Sequence, residues 1–291
     1  MAKALGRTVL TKISKTLEDS GAKILRRSEL HGLLAEHREG WGLPKNVTLN
    51  VFVTTLVEKT AMRRMVFDLP YRRETRFLWG TPSPYEVILS LKPEGYFSHY
   101  TAMFLHQLTE QVPKTFYLNT EHPPKPPPTS GLEQERIDAA FRRSPRVSKN
   151  CTIYEDRQVC LLNGMHTGRL GVIEITGSQG ERIPVTCIER TLIDIAVRPI
   201  YAGGVFEVLK AYRRAAGRAS TNRLAAMLAQ LRYVYPYHQV IGFYLERAGG
   251  YRPAALQLFR KFEMKWDFYL AHDMGETECC KKWRLFIPKG F

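Results

Sequence analysis

Long hydrophobic runs are missing from this sequence of 291 residues. A helix that crosses a bilayer needs about 18 to 20 consecutive apolar residues, and no stretch approaches that length, so we expect no membrane association. The first ten residues include Lys3 and Arg7 but no continuous apolar segment, which argues against a secretory signal peptide. We therefore expect a cytoplasmic protein.

Cysteine is scarce, and its spacing is uninformative. The five cysteines are Cys151, Cys160, Cys187, Cys279 and Cys280. Their number is odd and no two have the Cys-x-x-Cys spacing, so the sequence predicts neither a disulfide framework nor a zinc site. Reduced, mostly structural thiols are the expectation for a protein of the cytosol.

Motifs of nucleophilic and nucleotide-dependent enzymes are also lacking: there is no Gly-x-Ser-x-Gly, no Walker loop and no Gly-x-Gly-x-x-Gly. His99 and His106 are seven residues apart and would share a helix face with Glu110. A metal site needs further ligands that this region does not offer. We expect these histidines to form hydrogen bonds, and we predict no cofactor and no metal.

Clustered carboxylates for metal-dependent nucleic-acid cleavage are weakly represented. Glu189 and Asp194 flank Arg190 at a predicted helix start, and Glu174 lies on a predicted strand. In nucleases of this kind, an Asp on one strand is followed by a Glu-x-Lys motif on a neighbouring strand. The sequence does not have this arrangement. We interpret Glu189 as a first-turn acid favoured by the helix dipole and expect Asp194 to pair with Arg190, so we predict no catalytic residues.

Negative charge is in deficit, because 28 Asp and Glu face 43 Lys and Arg and leave a net charge of +15. The first 80 residues hold 15 basic and 8 acidic residues, which is about half of the net charge in little more than a quarter of the length. This excess of positive charge favours the binding of polyanions. With hydrophobic residues at 44% and charged residues at 24%, the chain is otherwise typical of a globular protein.

The first 82 residues have the pattern of a winged helix-turn-helix domain. Apolar spacing predicts helices over Thr8–Asp19, from Ser28, and over Asn46–Thr60, then strands over Arg64–Leu69 and Thr75–Trp79. Three helices followed by a hairpin, with Pro70–Arg73 at its tip, give the order of a winged helix. A three-helix structural domain with a solvated basic hairpin is the alternative.

Residues 83–291 alternate predicted helices and strands, which indicates a larger mixed α/β domain and an α+β protein as a whole. Helices are predicted over Thr221–Leu231 and Tyr237–Ala248, and His122–Thr129 forms a polyproline-like loop. From Tyr233 onward, aromatic and basic residues are interleaved. That mixture suits a protein interface, an RNA surface, or an aromatic core beneath a basic face.

Candidate DNA contacts lie on the third helix, just before it, and on the hairpin. Asn50 and Thr54 are four residues apart and would share one exposed helix face, where Asn can bind adenine. The arginines of the hairpin would contact phosphates or the minor groove. The predicted DNA-binding residues are Lys45, Asn46, Thr48, Asn50, Thr54, Lys59, Arg63, Arg64, Arg72, Arg73 and Arg76.

Three stretches of the chain resemble the AbiEi family of antitoxins and transcriptional regulators. The first comprises residues 95–102 (GYFSHYTA) and 105–115 (LHQLTEQVPKT). The second comprises 185–194 (VTCIERTLID) and 198–204 (RPIYAGG), and the third 237–246 (YHQVIGFYLE). The resemblance extends over nearly the whole chain, and the middle stretch is the most specific.

The resemblance implies a repressor that binds its own double-stranded operator DNA and an antitoxin of a type IV toxin–antitoxin system in abortive infection and viral defence. The implied partner is a cognate nucleotidyltransferase-like toxin that the antitoxin counteracts without needing to contact it. Three alternatives stay open: a module that sequesters a partner enzyme, an RNA-binding protein, and a nuclease dependent on Asp194 or Glu174.

Overall fold

The computed structural model describes residues 5–126 and 131–291, so that the end of the predicted loop His122–Thr129 lies outside the described residues. The protein is mixed α+β and contains several sheets. Its helices are α1 Arg7–Ser20, α2 Arg27–His37, α3 Leu49–Lys59, α4 Pro84–Leu89, α5 His99–Leu105, α6 Gln134–Phe141, α7 Ile188–Val197, α8 Val205–Ala215, α9 Thr221–Leu231, α10 Tyr237–Ala248 and α11 Pro253–Arg260.

The strands are mostly short. They are β1 Ile24–Leu25, β2 Arg63–Leu69, β3 Arg72–Leu78, β4 Tyr96–Phe97, β5 Thr115–Glu121, β6 Cys151–Tyr154, β7 Arg157–Gly164, β8 Val172–Thr176, β9 Arg182–Thr186, β10 Phe268–Tyr269, β11 Thr277–Cys280 and β12 Leu285–Pro288. Within the described residues, no helix is long and apolar enough to cross a bilayer.

Residues 5–82, which we call the N-terminal unit, combine α1, α2 and α3 with a three-stranded antiparallel sheet in the order β1-β3-β2. The helices bury one apolar side each, and Ile13, Leu30 and Leu56 have no exposed surface. Phe77 of β3 completes this cluster. Burial of such side chains, at about 25 cal/mol per Å² of apolar surface, is the main source of stability of this unit.

Residues 83–291, the second unit, contain a six-stranded sheet in the order β6-β7-β5-β4-β9-β8. The pairs β5–β7 and β4–β9 are parallel, and the other neighbours are antiparallel. Helices α7 to α11 bury a second cluster in which Tyr212, Tyr244 and Trp283 are fully enclosed. Many of the C-terminal aromatic residues are therefore core.

The two units share a hydrophobic cluster. Phe67, Leu69 and Leu78 of the β2–β3 hairpin pack with Val87 of α4 and with Phe116 of the six-stranded sheet. The boundary predicted between residues 82 and 83 thus passes through one continuous core, and β2 lies against β6, the outermost strand of the large sheet.

Two cysteines correct the expectation of reduced thiols throughout. Cys151 on β6 and Cys160 on β7 are direct cross-strand neighbours and form a disulfide with a sulfur–sulfur distance of 2.14 Å. The sequence separation of nine residues gave no motif, and only the hairpin register places the two side chains opposite each other. Cys187, Cys279 and Cys280 are free.

Candidate nucleic-acid interface

The chain between α2 and α3 is ordered by Arg38. Its guanidinium donates to the carbonyl oxygens of Pro44 at 2.7 Å and Val47 at 2.9 Å. In the same segment, the Trp41 ring stacks on Phe52 of α3, with 5.8 Å between centroids. This turn is longer than a tight helix-turn-helix connection, but its contacts fix the entry into α3.

Helix α3 has one buried and one exposed face. Thr48 caps its first turn by accepting the Val51 amide at 3.4 Å, because a threonine oxygen can replace a missing helical carbonyl there. Phe52 and Leu56 are buried, whereas Asn50 and Thr54 are exposed on the opposite face. The structure therefore brings these two predicted contact residues together on an accessible surface.

Arg27 is a neighbour of Asn50 that the sequence analysis missed. It lies at the start of α2, and its guanidinium donates to Asn50 Oδ1. Both side chains are exposed, so the pair adds a positive charge to the α3 face. The two residues are 23 positions apart, and no local pattern connects them.

The remaining predicted residues near α3 are divided between its ends. Lys45 and Asn46 are exposed in the loop before the helix. Lys59 is nine residues after Asn50, which is two and a half turns, so it lies on the other side of the helix. Lys59 is close in sequence to Arg63 and Arg64, exposed residues at the start of β2.

The hairpin arginines form two groups rather than one. Arg63 and Arg64 pair with Leu78 and Phe77 at the open end of the hairpin, whereas Leu69 pairs with Arg72 at its turn. At about 3.3 Å per residue, the two ends are on the order of 20 Å apart.

The arginines at the turn have carboxylate partners. Arg72 lies 3.0 Å from Glu74, and Arg73 lies 2.5 Å from Asp68. Glu74 also pairs with Arg76, so two acids face three arginines in this part of the hairpin. Arg63 and Arg64 add two further positive charges at its open end.

Arg76 is a correction to the predicted DNA-binding set. Its side chain is only 3% exposed and makes an ion pair with Glu74 at 2.9 Å. It also donates to the Ser90 carbonyl oxygen at 3.0 Å, which joins β3 to the end of α4. Burial alone would raise the pKa of Glu74, but the hydrogen bond and charge of Arg76 lower it, with help from the Arg72 charge. Arg76 holds the two units together and does not reach the surface.

The predicted pairing of Arg190 with Asp194 is confirmed. Arg190 Nε lies 2.8 Å from Asp194 Oδ1, and both side chains are buried. Glu189, also buried, accepts the Ser220 amide at 2.9 Å. Glu174 is 63% exposed on β8, so the structure does not bring it together with the enclosed Asp194.

The two histidines of α5 and its C-terminus form hydrogen bonds. Ser98 Oγ and His99 Nδ1 are 2.8 Å apart, and His106 Nε2 is 2.6 Å from the Thr186 carbonyl oxygen. Burial lowers the pKa of His99 to about 4, against the opposing effect of the Asp194 charge. Across residues 5–126 and 131–291, no group of three or more His, Cys, Asp or Glu side chains is arranged to hold a metal ion.

Comparison with known proteins shows a similar fold in a solved structure. No protein-family model matches the chain, and no curated protein matches it. Among solved structures, it is similar to the crystal structure of the RV2827C protein from Mycobacterium tuberculosis, with a TM-score of 0.61 and 14% sequence identity over 98% of this chain and 94% of that one. At this identity the likeness concerns the fold alone, over both units.

Proposed function

We propose that the N-terminal unit is a winged helix-turn-helix and that the protein is a DNA-binding transcriptional repressor. The observation that carries this proposal is the exposed α3 face of Asn50 and Thr54, with Arg27 beside it. The major groove of B-DNA accepts one α-helix, and amide, hydroxyl and guanidinium groups are those that bind its base edges.

Asn50 is the residue proposed to select a base. An asparagine amide binds adenine by donating to N7 and accepting from N6. Its Oδ1 already accepts from Arg27, but a carbonyl oxygen has a second lone pair, so both interactions can exist together. Arg27 thereby orients the amide and adds a positive charge close to the phosphates.

Arg63 and Arg64 are proposed to supply most of the phosphate contacts of the hairpin. The tip arginines Arg72 and Arg73 must share their charge with Glu74 and Asp68. Exposed ion pairs are worth about 0–1 kcal/mol, so the tip can still approach DNA, but Asp68 and Glu74 offset most of its positive charge. Release of counterions from neutralised phosphates makes the affinity salt-dependent.

The antitoxin role rests on the resemblance to AbiEi proteins. In this proposal the repressor acts on its own operon, and the second unit counteracts a nucleotidyltransferase-like toxin without requiring contact. A downstream reading frame for such an enzyme would support the assignment.

Sequestration of a partner enzyme is the second candidate, and one surface favours it. Phe206 of α8 is 56% exposed and stacks on Phe291 with 4.8 Å between centroids. Lys210, Arg213 and Arg247 line the same groove. An apolar floor with a basic rim suits a protein interface. Stable co-purification with the neighbouring gene product, lost in Phe206→Ala, would favour this candidate.

Fluorescence anisotropy on the protein's own upstream DNA and on a scrambled duplex, over a salt series, tests the repressor. We expect a preference for the upstream duplex. Asn50→Ala should reduce discrimination at one base pair by about 1–3 kcal/mol. The double variant Arg63→Ala/Arg64→Ala should weaken binding to both duplexes and lower the salt slope by about 2.

Arg182→Ala is the matched control, because this arginine is 86% exposed on β9 in the second unit. It should leave affinity unchanged. Equal, weak binding to both duplexes that disappears at moderate salt would overturn the repressor assignment, since it would reflect net charge only.

A further inference from the structure

The disulfide between Cys151 and Cys160 lies at an edge of the large sheet. In that sheet β6 is the outermost strand and hydrogen bonds to β7 alone, through four residue pairs from Cys151↔Cys160 to Tyr154↔Arg157. A short edge strand held by one ladder opens locally more easily than a central strand. The covalent bond therefore restrains one of the two edge strands of the sheet.

The other side of β6 faces the hairpin. A cleft of about 300 Å³, open to solvent, separates the two and is lined by Val66, Asp68, Cys151, Thr152, Ile153 and Gln158. Cys151 is half-buried, whereas Cys160 is 6% exposed. Cys151 therefore belongs to the wall of the cleft, whereas Cys160 does not, so Cys151 is the cysteine that a small molecule in the cleft would attack.

Contact between β6 and the hairpin is made through buried aromatic rings. Tyr154 of β6 stacks on Phe67 of β2, and both are nearly inaccessible to solvent. Arg63 and Arg64 begin the same strand β2. The order of β6 thus affects the strand that carries the proposed phosphate contacts.

We propose that Cys151 and Cys160 form a thiol–disulfide exchange site for low-molecular-weight thiols of the glutathione class, and that its redox state sets how firmly the hairpin is held. A thiolate attacks Cys151 Sγ, the disulfide breaks, and Cys160 leaves as a thiolate that takes a proton from water. A second thiolate then attacks the small-molecule sulfur of the mixed disulfide and releases Cys151. Two thiols are oxidised to one small disulfide while the protein disulfide is reduced to two thiols.

Reduction removes the cross-link but leaves the four-pair ladder. Because a disulfide that closes a loop of about ten residues restricts local opening considerably, β6 and its contact with β2 should open more often in the reduced protein. The consequence for DNA affinity rests on the proposed repressor function, whereas the exchange site itself does not.

The test uses the full chain with Cys279→Ser and Cys280→Ser, which removes two thiols that take no part. Protein is equilibrated over a series of reduced-to-oxidised glutathione ratios, and the thiols are identified by differential alkylation and mass spectrometry. Cys187 is an internal control, because burial raises the pKa of its thiol. Hydrogen exchange of residues 63–69 and 151–154 is measured on the same samples.

We expect the Cys151–Cys160 pair to change from disulfide to dithiol within the series and amide exchange in both segments to become at least about tenfold faster. Cys151→Ser/Cys160→Ser should match the reduced protein at every ratio. An unchanged thiol state across the series, or equal exchange rates in the two forms, would overturn the proposal. DNA anisotropy on these samples is a separate readout: loss of sequence preference in both redox states refutes the repressor and leaves the exchange result intact.

Discussion

The ring of Phe67 in the hairpin stacks on the ring of Tyr154 in the large sheet, with centroids 6.2 Å apart and planes inclined by 17°. Phe67 has no exposed surface and Tyr154 is 4% exposed. The contact joins residues on either side of the boundary predicted from sequence at 82. The N-terminal unit is therefore connected to the second unit by a packed core.

Replacement of Phe67 by alanine should lower the free energy of unfolding by about 3–5 kcal/mol, since a buried phenylalanine loses its apolar contacts and leaves a cavity. Tyr71→Ala, at the hairpin turn and 87% exposed, is the matched control and should change it by less than about 0.5 kcal/mol. Urea denaturation followed by far-UV circular dichroism measures both. Equal stability of the two variants would contradict the shared core.

Replacement of Arg76 should lower the stability of the protein and replacement of Arg73 should not, although both are hairpin arginines with acidic partners. Arg76→Ala removes a buried guanidinium that donates to Glu74 and to the Ser90 carbonyl oxygen. Glu74 keeps Arg72 as a partner, so we expect a loss of about 1.5–3 kcal/mol, the contribution of a hydrogen bond to a charged group. Arg73→Ala removes a pair whose side chains are 71% and 67% exposed, so stability should hardly change. Thermal unfolding of the two variants side by side distinguishes them; a stable Arg76→Ala protein would mean that this contact is dispensable.

Much of the fold could be predicted because apolar periodicity is a local property. Helices α9 and α10 have the predicted bounds, Thr221–Leu231 and Tyr237–Ala248. Helix α3 begins at Leu49, three residues later than predicted, because the Thr48 hydroxyl caps it. Helices α6 and α11, of eight residues each, were missed.

The site was harder to predict because its decisive contacts are distant in sequence. Asn50 and Thr54 followed from helical spacing, and their exposure is confirmed. Arg27 could not be associated with Asn50, nor Cys151 with Cys160, before the helix arrangement and the strand register were known. Arg76 was grouped with the exposed arginines of the hairpin. The strand pattern shows which residues share a face, but it does not show that the second unit covers the face that carries Arg76.

Replacement by alanine should have opposite effects on stability at two helical glycines, Gly242 and Gly32. A Cβ at Gly242 of α10 would lie 2.2 Å from the Trp283 ring, which is fully buried, so Gly242→Ala should destabilise by more than about 2 kcal/mol through overpacking. Gly32 lies within α2 with nothing near its Cβ position. Gly32→Ala should stabilise by about 0.5–1 kcal/mol, because alanine favours helix. Calorimetric melting temperatures should move in opposite directions; a tolerated alanine at 242 would show that Trp283 can shift.

His238 should make the protein less stable in mild acid. Burial lowers its pKa to about 4 from 6.5, so between these values the unfolded chain binds a proton that the folded chain does not. The contribution of His238 to the free energy of unfolding is therefore fully present above pH 6.5. It decreases as the pH falls to 4, by up to about 1.4 kcal/mol per pH unit. His99 contributes in the same direction.

His238→Phe should therefore reduce the dependence of stability on pH in that window, and it removes a buried nitrogen that has no hydrogen-bond partner. His31→Gln, at an exposed position of α2, serves as the control. Urea midpoints measured from pH 4.5 to 7 decide the matter. Identical slopes for His238→Phe and the unmodified protein would show that this histidine is protonated equally in both states.

The hydrophobic cluster that joins the hairpin to the large sheet has a consequence for DNA geometry. Proteins that bind palindromic operators as dimers require a fixed distance between their two recognition helices. In a chain whose α3-bearing unit is packed against its other unit, that distance depends on how the second units of two copies associate. For the proposed repressor bound as a dimer, changes to their contact surface, rather than to a linker, would alter the half-site spacing that is accepted.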